Sequence, residues 1–195
     1  MLTQYFGYLS GIFISLSFVP YLISIFKKET RPERASWLIW SILGGISFFS
    51  QMAEGATDSL WLTGFQIAGD TLIFLFSIKY GIGGLLKRDI WALGGVCISL
   101  ILWYLTSEPM FALFIAIFID ALGGVLTIVK TYEYPKTESI SAWILTALGG
   151  LFGALAVGQW DFVLLAFPFY IFLISLIILL AIIFGLKRQL KQNEL

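Results

Sequence analysis

Two carboxylates sit where carboxylates are expensive. Asp70 and Asp120 lie near the middles of two apolar stretches, 59–80 and 108–130, and no other acidic residue is so deep. A charged side chain at the centre of a membrane-spanning helix costs about 2.5–3.5 kcal/mol on insertion scales. The sequence accepts that cost twice. The pair therefore marks a candidate proton or substrate site near a bilayer midplane. A carboxyl that gains and loses a proton can couple proton movement to a rearrangement of helices. The plainer alternative is a neutral Asp hydrogen-bonded to a neighbouring helix. Gln66 stands one turn before Asp70 and shares its face. Ser47, Ser50 and Gln51 put polarity into 35–54, and Thr146 and Tyr170 do so in 139–157 and 161–186. Such groups in an apolar wall suit a small polar solute that is uncharged or weakly charged.

Other chemistry is thinly supplied. Histidine is absent, which removes the commonest metal ligand and general base. Cys97 is the only cysteine, so neither an intramolecular disulfide nor a thiolate metal cage can form. No metal and no cofactor are expected. The formal net charge is zero, which argues against a nucleic-acid partner. Two intramembrane aspartates invite comparison with membrane aspartyl proteases, whose two carboxyls share a proton. Gly69-Asp70 resembles part of their Gly-x-Gly-Asp motif, but Ile67 fills the first glycine position. Asp120 follows Ile119 rather than a tyrosine, and the order of the two acids is reversed. An enzyme is not expected.

The elements that must hold these residues are membrane spans. Of 195 residues, 59% are hydrophobic and 12% charged, with a mean hydropathy of +0.93. That surface is too apolar for water. Spans of about 20 apolar residues can be placed at 3–26, 35–54, 59–80, 89–106, 108–130, 139–157 and 161–186. The first is too long for the core of a signal peptide and reads as a retained span. All seven are expected to be helices, because an open sheet cannot satisfy its backbone in hydrocarbon. With seven spans, all 12 Lys and Arg residues fall on one side, while loops 54–59, 107–108 and 159–161 contain none. The positive-inside rule then puts the N-terminus outside and the C-terminus in the cytoplasm. A multi-pass protein of the plasma (cell inner) membrane follows.

A repeat organises the spans. Lys27, Pro32, Ser36 and Trp40 recur as Lys130, Pro135, Ser139 and Trp143, at a constant offset of 103 residues. At that offset Phe49 matches Phe152, Ala53 matches Ala156, Gly55 matches Gly158, Asp58 matches Asp161 and Leu62 matches Leu165. Two like units joined by one odd span must run parallel, a build found in transporters. The fold expected is all-α and integral to the membrane. It has seven transmembrane helices in a 3+1+3 parallel repeat of three-helix bundles. The first repeat is 1–86, the inversion linker helix 87–107, the second repeat 108–187 and the cytoplasmic tail 188–195. Asp70 and Asp120 break the repeat, since they align with Leu173 and Ser17.

The plan, with Pro20-Tyr21 near the inner end of the first span and the basic stretch 27–36 behind it, resembles the SWEET and PQ-loop superfamily. Tyr21 stands where that family has Gln, and Gly123-Gly124 replaces Pro-Gln in the second copy. Spans two and six lack the internal prolines of sugar-carrying members. The bacterial nicotinamide riboside carriers are similar in plan. The resemblance implies a divergent, bacterial-type carrier working by alternating access, with spans two and six lining the path. Trp40 and Trp143 would then face that path, although Trp also favours the membrane interface for its own sake. Pro20 removes a helix hydrogen bond and is a candidate hinge. Gly123 and Gly124 occupy the matching place and either flex or merely pack.

Blander roles are expected elsewhere. Pro32 and Pro135 suit helix starts, Asp58 and Asp161 suit N-caps, and Lys27 and Lys130 suit C-termini at the inner surface. The partners expected are a small-molecule solute and the lipid bilayer, and the plan leaves a homo-oligomer open. A non-transporting receptor or assembly protein is the alternative, because fold alone does not assign function.

Overall fold

A computed structural model describes residues 1–28, 32, 34–81, 87–106, 108–133, 135 and 139–193. Arg31, Ser107 and Lys136, used above to assign the loops, and Leu86, the end of the first repeat, lie outside these residues. The described chain is helical throughout, with seven helices. They are α1 (Leu2–Phe26), α2 (Arg34–Ala53), α3 (Leu60–Tyr80), α4 (Lys87–Thr106), α5 (Pro109–Glu133), α6 (Ile140–Val157) and α7 (Phe162–Asn193). By length and composition four of them are apolar enough to cross a membrane, over Leu2–Ile23, Leu60–Tyr80, Ile140–Val157 and Phe162–Lys191. A shorter apolar run spans Met110–Ala121.

Local chemistry sets several helix ends. The Ser139 hydroxyl accepts a hydrogen bond from Ala142 N at 3.3 Å and caps α6. Asp161 Oδ1 accepts from Val163 N and Leu164 N at 2.9 and 3.0 Å and caps α7. Lys27 is the C-cap of α1. Gly55 and Gly158, which match in the sequence repeat, both adopt positive φ, +86° and +72°, just past the ends of α2 and α6. Glycine bears that conformation without a Cβ penalty.

Three expected terminators act differently. Asp58 does not cap α3: Ser59 holds the N-cap position, and neither side chain bonds the first turn. Pro135 lies well ahead of α6, which starts at Ile140 under the Ser139 cap. Lys130 lies inside α5, which continues to Glu133. Pro20 is accommodated within an unbroken α1, and Pro168 likewise within α7. Each proline leaves one carbonyl of the preceding turn without its helical partner.

The packing pattern is regular. Helix α3 packs against both α1 and α2, and α7 packs against both α5 and α6. Across the middle, α1 packs on α6 and α2 on α5, while α4 lies against α5 and α2. Exchanging α1, α2 and α3 for α5, α6 and α7 returns the same pairings among those six helices, while α4 falls outside the symmetry. The two cross-seams differ in chemistry. Ile39, Leu43 and Ile46 of α2 meet Ala112 and Ala116 of α5 in a purely aliphatic cluster. At the α1–α6 seam a glycine takes in a side chain instead: a Cβ on Gly149 would sit 2.6 Å from Ile14 Cγ1. Gly153 of α6 likewise takes in Leu62 of α3, whose Cδ1 would lie 2.9 Å from an added Cβ. Ser10 Oγ donates to the Gly149 carbonyl at 2.7 Å. Phe152 stacks on Phe6 and Phe13. The outer faces of these helices expose Leu16, Val19, Leu72, Leu75, Ile177 and Leu180, a surface suited to hydrocarbon.

Gly150 tests this packing at the α6–α7 contact. A Cβ there would lie 2.5 Å from the backbone nitrogen of Phe172 on α7. Backbone cannot swing aside as a side chain does. Gly150→Ala should lower stability by about 1–3 kcal/mol through overpacking, read as a lower midpoint of thermal unfolding in detergent. Gly94, where an added Cβ meets nothing within 4 Å, supplies the control, and its Ala variant should not be destabilised.

Candidate functional site

The deepest polar groups gather where the two helix sets meet. Asp70 is 5% exposed on α3. Its Oδ2 faces α2 at Gly44, where an added Cβ would lie 3.8 Å away. Glycine at 44 thus leaves room for the carboxyl. Asp120, half-buried on α5, accepts a 2.6 Å hydrogen bond from the Tyr170 hydroxyl of α7. The Asp70 and Asp120 carboxyls lie close enough for their charges to interact. No direct hydrogen bond joins them among the described residues. One acid therefore comes from each helix set, and only Asp120 has a hydroxyl partner.

Helix geometry explains this placement. Helices α5 and α7 approach closely at Gly124, whose added Cβ would meet Ile174 Cδ1 at 2.9 Å and the Tyr170 hydroxyl at 3.7 Å. The small residue at 124 lets α7 bring Tyr170 within reach of Asp120, one turn earlier on α5. Gly124 accordingly has a packing role at this site. Gly123 lies within α5 beside it. Helices α2 and α3 approach likewise, with Ile67 against Gly44 and Gly45, and Phe48 against Gly64.

Gln66, one turn from Asp70, is half-buried with its Oε1 buried and unpartnered. Ser47 is fully buried on α2, and its hydroxyl is likewise unpartnered. Trp40 is part of a separate aromatic group nearer the start of α2. Its ring stands edge-on to Trp37 at 5.0 Å. Trp37 in turn lies 5.0 Å from the Tyr21 ring, and its Nε1 donates to the Tyr21 hydroxyl at 3.3 Å. Tyr21 follows Pro20, so this group ties the proline region of α1 to α2. Trp143 is half-buried near the start of α6.

Sequence reasoning singled out the acids and named Tyr170 as a polar group of its span, but missed Trp37 and the pairing of Tyr170 with Asp120. Trp37 stands three residues before Trp40, a spacing that places both rings on one helix face and could have drawn attention to it. The Tyr170–Asp120 bond crosses 50 residues, and no local spacing signals it. Two surface depressions lie elsewhere. One is lined by Phe48, Trp61, Gly64 and Phe65, the other by residues of the α2–α3 and α6–α7 connections. Neither reaches the acids. Among the described residues no three His, Cys, Asp or Glu side chains cluster as a metal site would require. The sequence matches no protein-family model and no curated protein.

The Tyr170–Asp120 bond is short and sheltered. Hydrogen bonds of this kind contribute about 1–3 kcal/mol when one partner is lost. Tyr170→Phe should destabilise the protein by that amount. In an Asp120→Asn background the same change should cost less, giving a coupling energy in a double-mutant cycle of thermal unfolding. Full additivity would show that the bond contributes nothing.

Proposed function

We propose that the protein carries a small polar solute across a membrane by alternating access between two three-helix bundles, with protons coupled through the central acids. On this reading all seven helices are spans in a 3+1+3 parallel repeat. α1–α3 and α5–α7 are the bundles and α4 is the inverting linker. The N-terminus faces outside, the C-terminus faces the cytoplasm, and the membrane is the plasma membrane.

The observation that carries the proposal is that each bundle holds one acid away from solvent, Asp70 buried on α3 and Asp120 bonded to Tyr170. Ionisable side chains inside apolar helices are rare and usually mark ion or substrate paths. The symmetric helix pairing supports two bundles that move as bodies. The matched positive-φ glycines 55 and 158 support the repeat. The resemblance to SWEET and PQ-loop carriers agrees with this plan.

The aromatic group of Tyr21, Trp37 and Trp40 then serves as a closure at the inner end, with Pro20 as its hinge. Trp143 holds the corresponding place in the second bundle. The protein acts on its solute without chemistry, so no catalytic residue is assigned. Its partners are the solute and the bilayer.

Two measurements test this. A thermal-stability screen of detergent-purified protein against sugars, amino acids, nucleosides and vitamins should yield a stabilising class, since ligands that bind the folded state raise apparent stability. Uptake of that class into proteoliposomes should depend on pH. Asp70→Asn or Asp120→Asn should flatten the dependence, while unchanged profiles in both variants would end the coupling proposal.

A further inference from the structure

Helix α2 carries buried polar groups for which the described residues supply no hydrogen-bond partner. Ser47, Ser50 and Gln51 are fully buried. Both serine hydroxyls and both ends of the Gln51 amide lack hydrogen-bond partners, as does Gln66 Oε1 on facing α3. Leaving a buried polar atom unpaired costs free energy, and buried polar groups are overwhelmingly paired, with protein or with ordered water. Five orphaned atoms on two adjacent helices are therefore not a packing accident.

Their order along the helices gives them a direction. Phe48 faces Gly64, and Gly44 faces Ile67 and Asp70. Ser47 and Gln66 thus stand at one level of the α2–α3 pair. Asp70 lies one turn away in one direction, and Ser50 and Gln51 one turn away in the other. Each step of four residues is about 6 Å, which one water spans with two hydrogen bonds of ordinary length. Beyond Gln51 the series meets the α2–α3 connection. The Gln51 carbonyl accepts from Ala56 N at 2.9 Å. Ala56 lines a depression of about 190 Å³ together with Gly55, Ser59 and Gln159.

We infer that the buried polar groups of α2 and Gln66 of α3 form a water-mediated proton path, running from the depression at the α2–α3 and α6–α7 connections through Gln51, Ser50, Ser47 and Gln66 to Asp70. Its ligand is water and the excess proton it carries. Serine hydroxyls both donate and accept and can pass a proton along. The glutamines hold waters in file without titrating themselves. α6 has no ionisable residue, and α1 has only tyrosines. Arg34, the one cation of α2, is held at the far end by the Ser77 and Gly81 carbonyls. The acidic group near Asp70 is Asp120, which Tyr170 engages. The path therefore ends at Asp70, the acid without a hydroxyl partner. It rests on the transport reading in taking Asp70 as the group that accepts the proton.

Infrared spectroscopy of the purified, solute-free protein tests the path apart from transport. The carboxyl C=O bands are assigned by their loss in Asp70→Asn and Asp120→Asn, at the acid end of their titrations. On transfer to D₂O the Asp70 band should shift within the mixing time. In the combined Ser47→Val, Ser50→Val, Gln51→Leu variant the shift should slow by on the order of a hundredfold, because exchange then waits on local opening. The Asp120 band should keep its rate. Gln51→Leu alone should slow the shift partially, and it stands in if the combined variant does not fold. Slow exchange in the native protein, or an unchanged rate in the filled variants, overturns the path. Intact exchange with pH-independent uptake would instead end the coupling proposal and leave the path standing.

Discussion

Close packing at the glycines of α6 is the constraint on which the rest depends. Gly149 and Gly153 seat the side chains of Ile14 of α1 and Leu62 of α3 against the α6 backbone, and Gly150 brings α6 against the α7 backbone at Phe172. The Ser10–Gly149 bond then fixes α1 on α6. In an apolar surround there is no hydrophobic gain from bringing two helices together, so such contact relies on dispersion and a few hydrogen bonds. With that seam fixed, α3 and α7 are carried inward on either side of it. They bring Asp70, and Tyr170 against Asp120, to the middle of the structure.

The second cross-seam has a different character. Helices α2 and α5 meet through the aliphatic side chains of Ile39, Leu43, Ile46, Ala112 and Ala116. On the proposed transport reading, this is the seam that separates. Both acids lie beside the helices that form it, since Asp70 faces α2 and Asp120 stands on α5. A charge change at either acid therefore acts on that seam. This supplies what an alternating-access protein needs, a two-state element biased by a local event.

Much of the frame was legible in the sequence. The seven apolar runs gave helices to within a few residues, because in hydrocarbon a polar backbone has few other options. The ends at α5 and α7 ran past the expectation. Lys187 to Asn193 are good enough helix formers to extend α7 beyond its apolar run. Asp70 and Asp120 stood out as costly exceptions to local composition. Tyr170 did not, because its meaning lies in a pairing between α5 and α7 that no local spacing encodes. Asp58 and Asp161 match in the repeat, yet only Asp161 caps its helix. Cap geometry depends on backbone angles that residue type alone does not fix.

The central claim is that the α2–α5 seam opens while the α1–α6 seam holds. Pulsed electron–electron resonance between spin labels at Phe49→Cys and Phe111→Cys measures it directly. Both sites are exposed and flank the aliphatic cluster, and a Cys97→Ser background removes the one native thiol. The account predicts two distances whose proportions move with pH, and a shift that Asp70→Asn suppresses. A single distance, unchanged across pH in the native protein, would contradict it.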